Sequence, residues 1–198
     1  MSPKLLQWLL PQLFFCLNLG GVVVYAVTSS DLGSTLKLSS AQIGSLGGVY
    51  FIAYALSQLF LGSSLGTISP RLLLGITALL SSAGAFVMSG AQSFEMALIA
   101  RLLMGIGFGT AMVGVVYFVG LLFNEKFAFM LNLSQSIANG VGALLGTLAP
   151  LPLLQNFRIS FLWVAVLLLA NGILILLFTS GKVSADESDA MTEERLGL

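Results

Sequence analysis

Histidine is absent from the 198 residues, cysteine occurs once, and only 8% of the chain is charged. A chain without histidine cannot build a histidine-ligated zinc protease site, a catalytic Ser–His pair or a histidine-ligated haem. The single cysteine, Cys16, lies in an apolar run, so no internal disulfide can form. Eight Lys or Arg stand against eight Asp or Glu, giving a net charge of zero and no basic patch for a nucleic-acid backbone. The expectation is therefore no metal, no cofactor, no nucleic-acid partner, and, without histidine or a buried acid pair, no enzyme.

What is abundant is apolar. Hydrophobic residues make up 57% of the chain, and mean hydropathy is +1.01. An ordinary soluble domain is about 25% charged, and a chain this apolar would aggregate in water. The lipid bilayer is the solvent that fits. Crossing its hydrocarbon takes about 20 largely apolar residues in a helix. Six stretches qualify: 5–28, 41–62, 72–89, 96–123, 127–148 and 159–179. Polar or turn-rich breaks at 29–40, 63–71, 90–95, 124–126 and 150–158 separate them. The first stretch follows Lys4 as a secretory signal would, but it outruns the roughly 7–15 apolar residues of such a signal. Residues 1–179 thus read as a six-span bundle. Residues 180–198 hold Asp186, Glu187, Asp189, Glu193 and Glu194 and read as an acidic, disordered tail.

Orientation follows from basic residues in short loops. With the N-terminus inside, Lys4, Arg71, Lys126, Lys182 and Arg195 are cytoplasmic, while Lys37 and Arg158 are outside. That bias predicts an integral protein of a bacterial inner (plasma) membrane with both termini cytoplasmic. Spans two and five each lead through a Gly/Pro-containing break to an arginine and a further span. One passes from Gly62 to Pro70-Arg71, the other from Gly146 through Pro150 to Arg158. The expected fold class is an all-α membrane protein built as a 3+3 inverted repeat.

Polar residues inside spans are rare, and they mark function or inter-helix bonding. Span five carries Asn132, Gln135, Ser136, Asn139, Gly142, Gly146 and Pro150 on one side at helical spacing. Span one places Asn18, Gly21 and Tyr25 on one face, and span two places Tyr50, Tyr54 and Ser57 together with Gln58 at the edge. Tyr25 and Tyr50 lie near span ends and also fit interfacial anchors. Arg101 is the one basic residue inside or at the lip of a span, either functional or snorkelling to the outer headgroups. Gly105, Gly107 and Gly109 read as close helix packing, as do Gly142 and Gly146. No acid lies securely within a span, so the chain offers no self-contained proton relay.

Three segments, in order, carry a resemblance. Span two reads Tyr54-Ala55-Leu56-Ser57-Gln58-Leu59-Phe60-Leu61-Gly62, and its break ends Pro70-Arg71. Span four reads Arg101-Leu102-Leu103-Met104-Gly105-Ile106-Gly107-Phe108-Gly109, and span six begins Asn156-Phe157-Arg158-Ile159-Ser160-Phe161. From Trp8 to Phe178 the chain resembles the N-terminal six-helix half of a major facilitator superfamily transporter. The resemblance implies a solute carrier working by alternating access, in which spans one and four line the path and two and five flank it. On that reading Asn18, Tyr25, Tyr54, Gln58, Gln135 and Asn139 line the substrate path, and Arg101, Arg71 and Gly62 serve coupling or gating. The first loop departs from the family: it holds Gly66-Thr67 and Ser69-Pro70 where an Asp-Arg and Gly-Arg pattern is usual. A full member has twelve spans, so a homodimer or a separate six-span half is the expected partner, with a small-molecule solute as cargo. Two other readings remain: a six-span substrate-binding subunit of an energy-coupling-factor importer, and a non-transporting scaffold or assembly protein.

Overall fold

A computed structural model describes residues 3–66, 68–148 and 155–179. Among them there is no strand. The helices are α1 (Pro3–Leu36), α2 (Ser40–Gly62), α3 (Pro70–Ser89), α4 (Phe94–Phe108), α5 (Ala111–Leu122), α6 (Phe127–Thr147) and α7 (Phe157–Phe178). Short 3-10 turns at Ser63–Gly66 and Asn124–Lys126 join neighbours. The expected acidic tail and Pro150 lie outside the described residues.

One expectation needs correction. The polar segment 29–40 reads as a break, yet α1 runs on to Leu36, making 34 residues. At 1.5 Å per residue that is about 50 Å, well beyond a hydrocarbon core of roughly 30 Å. Tertiary contacts hold the overhang. Leu32 is fully buried, and the Asp31 carboxylate accepts the Phe157 N–H at 2.8 Å, capping α7. The helix stops at Lys37, which adopts a left-handed φ of 54°, while the Leu38 N–H bonds the Gly33 carbonyl at 2.9 Å. Ser39 and Gln42 then form a reciprocal capping box that starts α2.

Span four crosses as one segment, Phe94–Leu122, with a turn at Gly109 and Thr110 between α4 and α5 where both residues keep right-handed helical backbone angles. The turn has partners from both sides. The Ser57 hydroxyl donates to the Ile106 carbonyl at 2.6 Å, and the Thr77 and Thr110 hydroxyls bond each other at 2.6 Å. Polar groups freed inside a membrane must find such partners.

Five segments are long and apolar enough to cross a membrane by length and composition: Leu5–Leu36, Ser40–Leu61, Pro70–Ser89, Phe94–Leu122 and Phe157–Phe178. The sixth, α6, has 21 residues but is less apolar because of Asn132, Gln135, Ser136 and Asn139. The packing shows the repeat directly. α2 packs on α4, as α6 packs on α1; α3 packs on α4, as α7 packs on α1; α3 and α7 pack on each other, and α1 on α5. Exchanging spans one to three with four to six leaves this pattern unchanged. Residues match as well. Gln12 of α1 donates to the Ser134 carbonyl of α6 at 3.0 Å, and Arg101 of α4 donates to the Leu46 carbonyl of α2 at 3.2 Å. Gly20 lies against Leu145 as Gly109 lies against Ser57. The fold is a six-span bundle of two inverted three-helix repeats.

Candidate functional site

Arg101 lies seven residues into α4, about 10 Å along the helix from its start at Phe94. It is 1% exposed, so it does not snorkel. Its guanidinium lies 4.1 Å from the ring centroid of Tyr25 and 4.1 Å from that of Tyr50. Nε donates to the Leu46 carbonyl, while Nη1 is buried without a hydrogen-bond partner. Two ring faces therefore take the place of an acid, each worth about 2 kcal/mol when desolvated. The tyrosines are themselves held. The Tyr25 hydroxyl donates to the Ile43 carbonyl at 2.6 Å, and the Tyr50 hydroxyl donates to Asn18 Oδ1 at 2.5 Å. Tyr54 stacks on Tyr50 with centroids 6.3 Å apart.

Of the expected path residues, Tyr25 lies against Arg101 at the junction of α1, α2 and α4, and Asn18 and Tyr54 reach that junction through Tyr50. Asn18 and Tyr25 are buried there. Gln58 is half-buried one turn beyond Tyr54 on α2. Gln135 and Asn139 sit apart on α6, half-buried and exposed respectively. Arg71 begins α3 and Gly62 ends α2, at the membrane face opposite the one nearest Arg101. The structure does not gather Arg101, Arg71 and Gly62 into one site.

The span-four glycines are tight helix contacts. A Cβ on Gly105 would fall 2.5 Å from the Tyr50 carbonyl. On Gly107 it would meet the Thr77 carbonyl at 2.5 Å and the Ser81 nitrogen at 2.7 Å, and on Gly109 it would meet Ser57 Cβ at 2.7 Å. Gly105 and Gly109 thus seat α2, and Gly107 seats α3. Gly142 and Gly146 differ, because a Cβ there would touch Val23 at an ordinary 3.5 and 3.9 Å.

Several partners escaped the sequence reading. Tyr50, which also fits an interfacial anchor, is 1% exposed and carries half of the arginine sandwich. Gly84 allows α3 to touch α4, its Cβ position lying 2.8 Å from the Met104 nitrogen. The small-residue run Ser81-Ser82-Ala83-Gly84-Ala85 was the available signal for that contact. Two apolar grooves flank the bundle, of about 400 Å³ between α1, α6 and α7 and about 480 Å³ between α2 and α4. They are related by the repeat, with Ile137 and Val141 in one matching Val49 and Ala53 in the other.

Inverted repeats and a buried cation within the bundle are features common among membrane transporters. The family model of the Major Facilitator Superfamily matches residues 12–196, and the chain belongs to that superfamily. It is an integral membrane protein of a transporter family whose members move small-molecule solutes, not a family of enzymes. No curated protein matches the chain.

Proposed function

We propose that the chain is a half-size solute carrier that works by alternating access together with a second six-span body. The observation that carries this reading is the bare polar stripe of α6. Asn132, Ser136 and Asn139 are exposed on a helix within the membrane bundle. Around α6 the order is a buried strip of Ser134, Ala138 and Gly142 against α1, the polar stripe on one flank, and exposed Leu133, Ile137 and Leu144 on the other. The apolar flank suits lipid. The polar flank does not: the Asn132 amide donates to the Ala128 carbonyl of its own helix at 2.8 Å, but lipid leaves the Asn139 amide unbonded, at a cost of up to a few kcal/mol. A second body facing that flank removes the cost and encloses a path for solute. Gln135 and Asn139 line the path from α6, and Tyr54 and Gln58 flank it from α2. Asn18, Tyr25 and Arg101 form the supporting layer behind, through which Arg101 couples movements of α1, α2 and α4; Arg71 and Gly62 contribute at the opposite membrane face.

The test is flux of candidate solutes into proteoliposomes. Gln135→Leu with Asn139→Leu is expected to lower the initial rate at least tenfold at unchanged protein level. Unchanged flux in that double variant reduces the stripe to packing.

We extend the same reading to a bacterial inner membrane with Arg71 and Lys126 cytoplasmic and Lys37 and Arg158 outside; the loops balance at two basic residues a side, and Lys4, Lys182 and Arg195 near the termini tip the bias inward. In a Cys16→Ala background, a membrane-impermeant thiol reagent applied from outside should label Lys37→Cys and spare Arg71→Cys and Lys126→Cys. Labelling of position 71 but not 37 reverses the orientation.

A further inference from the structure

Arg101 is the one charged side chain buried among the described residues, and no acid answers it. Asp31, Glu95 and Glu125, the acids of those residues, all stand near the ends of spans, and the Asp31 carboxylate accepts the Phe157 N–H. The guanidinium lies instead between the Tyr25 and Tyr50 rings. A carboxylate partner would leave a dipole, whose field fades faster than that of a single charge. A tyrosine ring has a quadrupole but no net charge. It stabilises the cation at contact and cancels none of its field further off. Hydrogen bonds offset little more, since Nε donates to one carbonyl and Nη1 to no partner. A full positive charge therefore acts on its surroundings, in a medium that weakens it far less than water does.

The field reaches the residues assigned above to the path. The Tyr50 ring centroid lies 4.1 Å from the guanidinium and 6.3 Å from the Tyr54 centroid. The Tyr54 ring is therefore within about 10 Å of the charge. Tyr54 is half-buried, whereas Tyr50 is closed off. At an effective dielectric constant of about 20, a unit charge about 10 Å away favours an anion over a neutral solute roughly fifteenfold, and disfavours a cation equally. The side chains placed along the path, Tyr54, Gln58, Gln135 and Asn139, are all neutral, and each carries an O–H or N–H donor. Donors of this kind bind an oxyanion well, and no acid stands among them to hold a cation.

We propose that the path selects for negative charge and that its cargo is a small organic anion. This rests on the carrier reading above and names the substrate class. The anion's oxygens take hydrogen bonds from Tyr54, Gln58 and Gln135, while Arg101 acts from behind the Tyr50 ring without touching the cargo.

The test reads the sign of the field directly and needs no known substrate. Tyr54→Cys and Gln58→Cys are made singly in the Cys16→Ala background and reconstituted in lipid nanodiscs, where both membrane faces are open. Each is reacted with two thiol reagents of similar size, the anionic sulfonatoethyl and the cationic trimethylammonioethyl methanethiosulfonates. The anionic-to-cationic rate ratio is divided by that of free mercaptoethanol, which removes the reagents' own difference in reactivity. The normalised ratio is expected to be at least tenfold at Tyr54→Cys. It should be smaller at Gln58→Cys, one turn further along α2 from Tyr50. Adding Arg101→Leu, or Arg101→Gln should the leucine variant not assemble, should bring both ratios to within threefold of one. Equal rates, a cationic preference, or an anionic preference that survives the loss of Arg101 overturns the proposal. Reaction without preference removes the anion and leaves the carrier reading standing. Failure of both reagents at both positions, in protein whose thiols react once denatured, removes the watery path and the carrier reading with it.

Discussion

Gly107→Leu is expected to lower the melting temperature by about 10 °C or more, or to prevent assembly altogether. The side chain has nowhere to go. Even a Cβ falls 2.5 Å from the Thr77 carbonyl and 2.7 Å from the Ser81 nitrogen, and both are backbone atoms that move only if α3 moves. Overpacking of a well-filled core costs about 1–3 kcal/mol, and displacing a whole helix lies at or above the top of that range. For a domain of about 200 residues each kcal/mol is worth roughly 2–4 °C. The protein supplies its own probe. Cys16 is its only cysteine and is buried, so a thiol-reactive dye should light up only as the bundle opens. Gly142→Ala is the control: the new methyl meets Val23 at an ordinary 3.5 Å and should shift the melting by no more than about 2 °C. A Gly107→Leu protein that melts within 2 °C of the parent would show that α3 and α4 do not meet as described.

The second large effect is at Arg101, where stability and activity are expected to separate. In Arg101→Lys the charge remains, but an ammonium cannot lie flat between two rings and reach the Leu46 carbonyl, and it is more strongly hydrated. The expected loss is about 2–3 kcal/mol, set by one cation–π contact and part of a charged hydrogen bond. Arg101→Leu removes the charge with its desolvation cost, and such replacements of buried ions are often nearly neutral for stability. Its expected defect is in function, a fall of at least tenfold in flux. If Arg101→Leu carries solute at the parental rate, the arginine is a packing element and not a coupling one. Tyr50→Phe separates the parts further. The ring face stays, the hydroxyl bond to Asn18 goes, and a loss of about 1 kcal/mol is expected.

The arginine sandwich also bears on how a charge is kept inside a membrane without an acid. Intramembrane cations are expected to have a named partner, and no acidic residue lies within reach in sequence. The structure answers with polarised ring faces from two helices, Tyr25 on α1 and Tyr50 on α2. Arg101 is therefore the point at which three spans are tied. Movement of any of them against the others must break or tilt this layer, which is why a coupling role suits it.

Much of the fold was legible because membrane insertion imposes few rules. Length and hydropathy gave the six spans, the Gly-rich run at Gly105, Gly107 and Gly109 gave close packing, and the paired arginine-bearing breaks hinted at the repeat. The polar stripe of α6 was legible from its 3.6-residue period alone. Tyr50 was not, because an aromatic near a span end has the same sequence signature whether it meets headgroups or a buried cation. Segment 29–36 misled for a related reason. Its serines and Asp31 look like loop, but a helix continues wherever neighbours bury its apolar side, as Leu32 is buried, and use its polar side, as Asp31 caps α7.

The sequence by itself therefore determined which segments enter the bilayer, their order and the superfamily resemblance. These follow from one-dimensional quantities: apolar length, residue period and motif order. Only the tertiary structure decided which polar residues satisfy one another and which stay bare. Asn18 and Tyr25 disappear into bonds with α2, while Asn132, Ser136 and Asn139 remain uncovered on α6. The reason is geometric. A side chain's role in a membrane depends on whether a neighbouring helix presents a partner at its own depth, and that is set by the crossing of helices far apart in the chain.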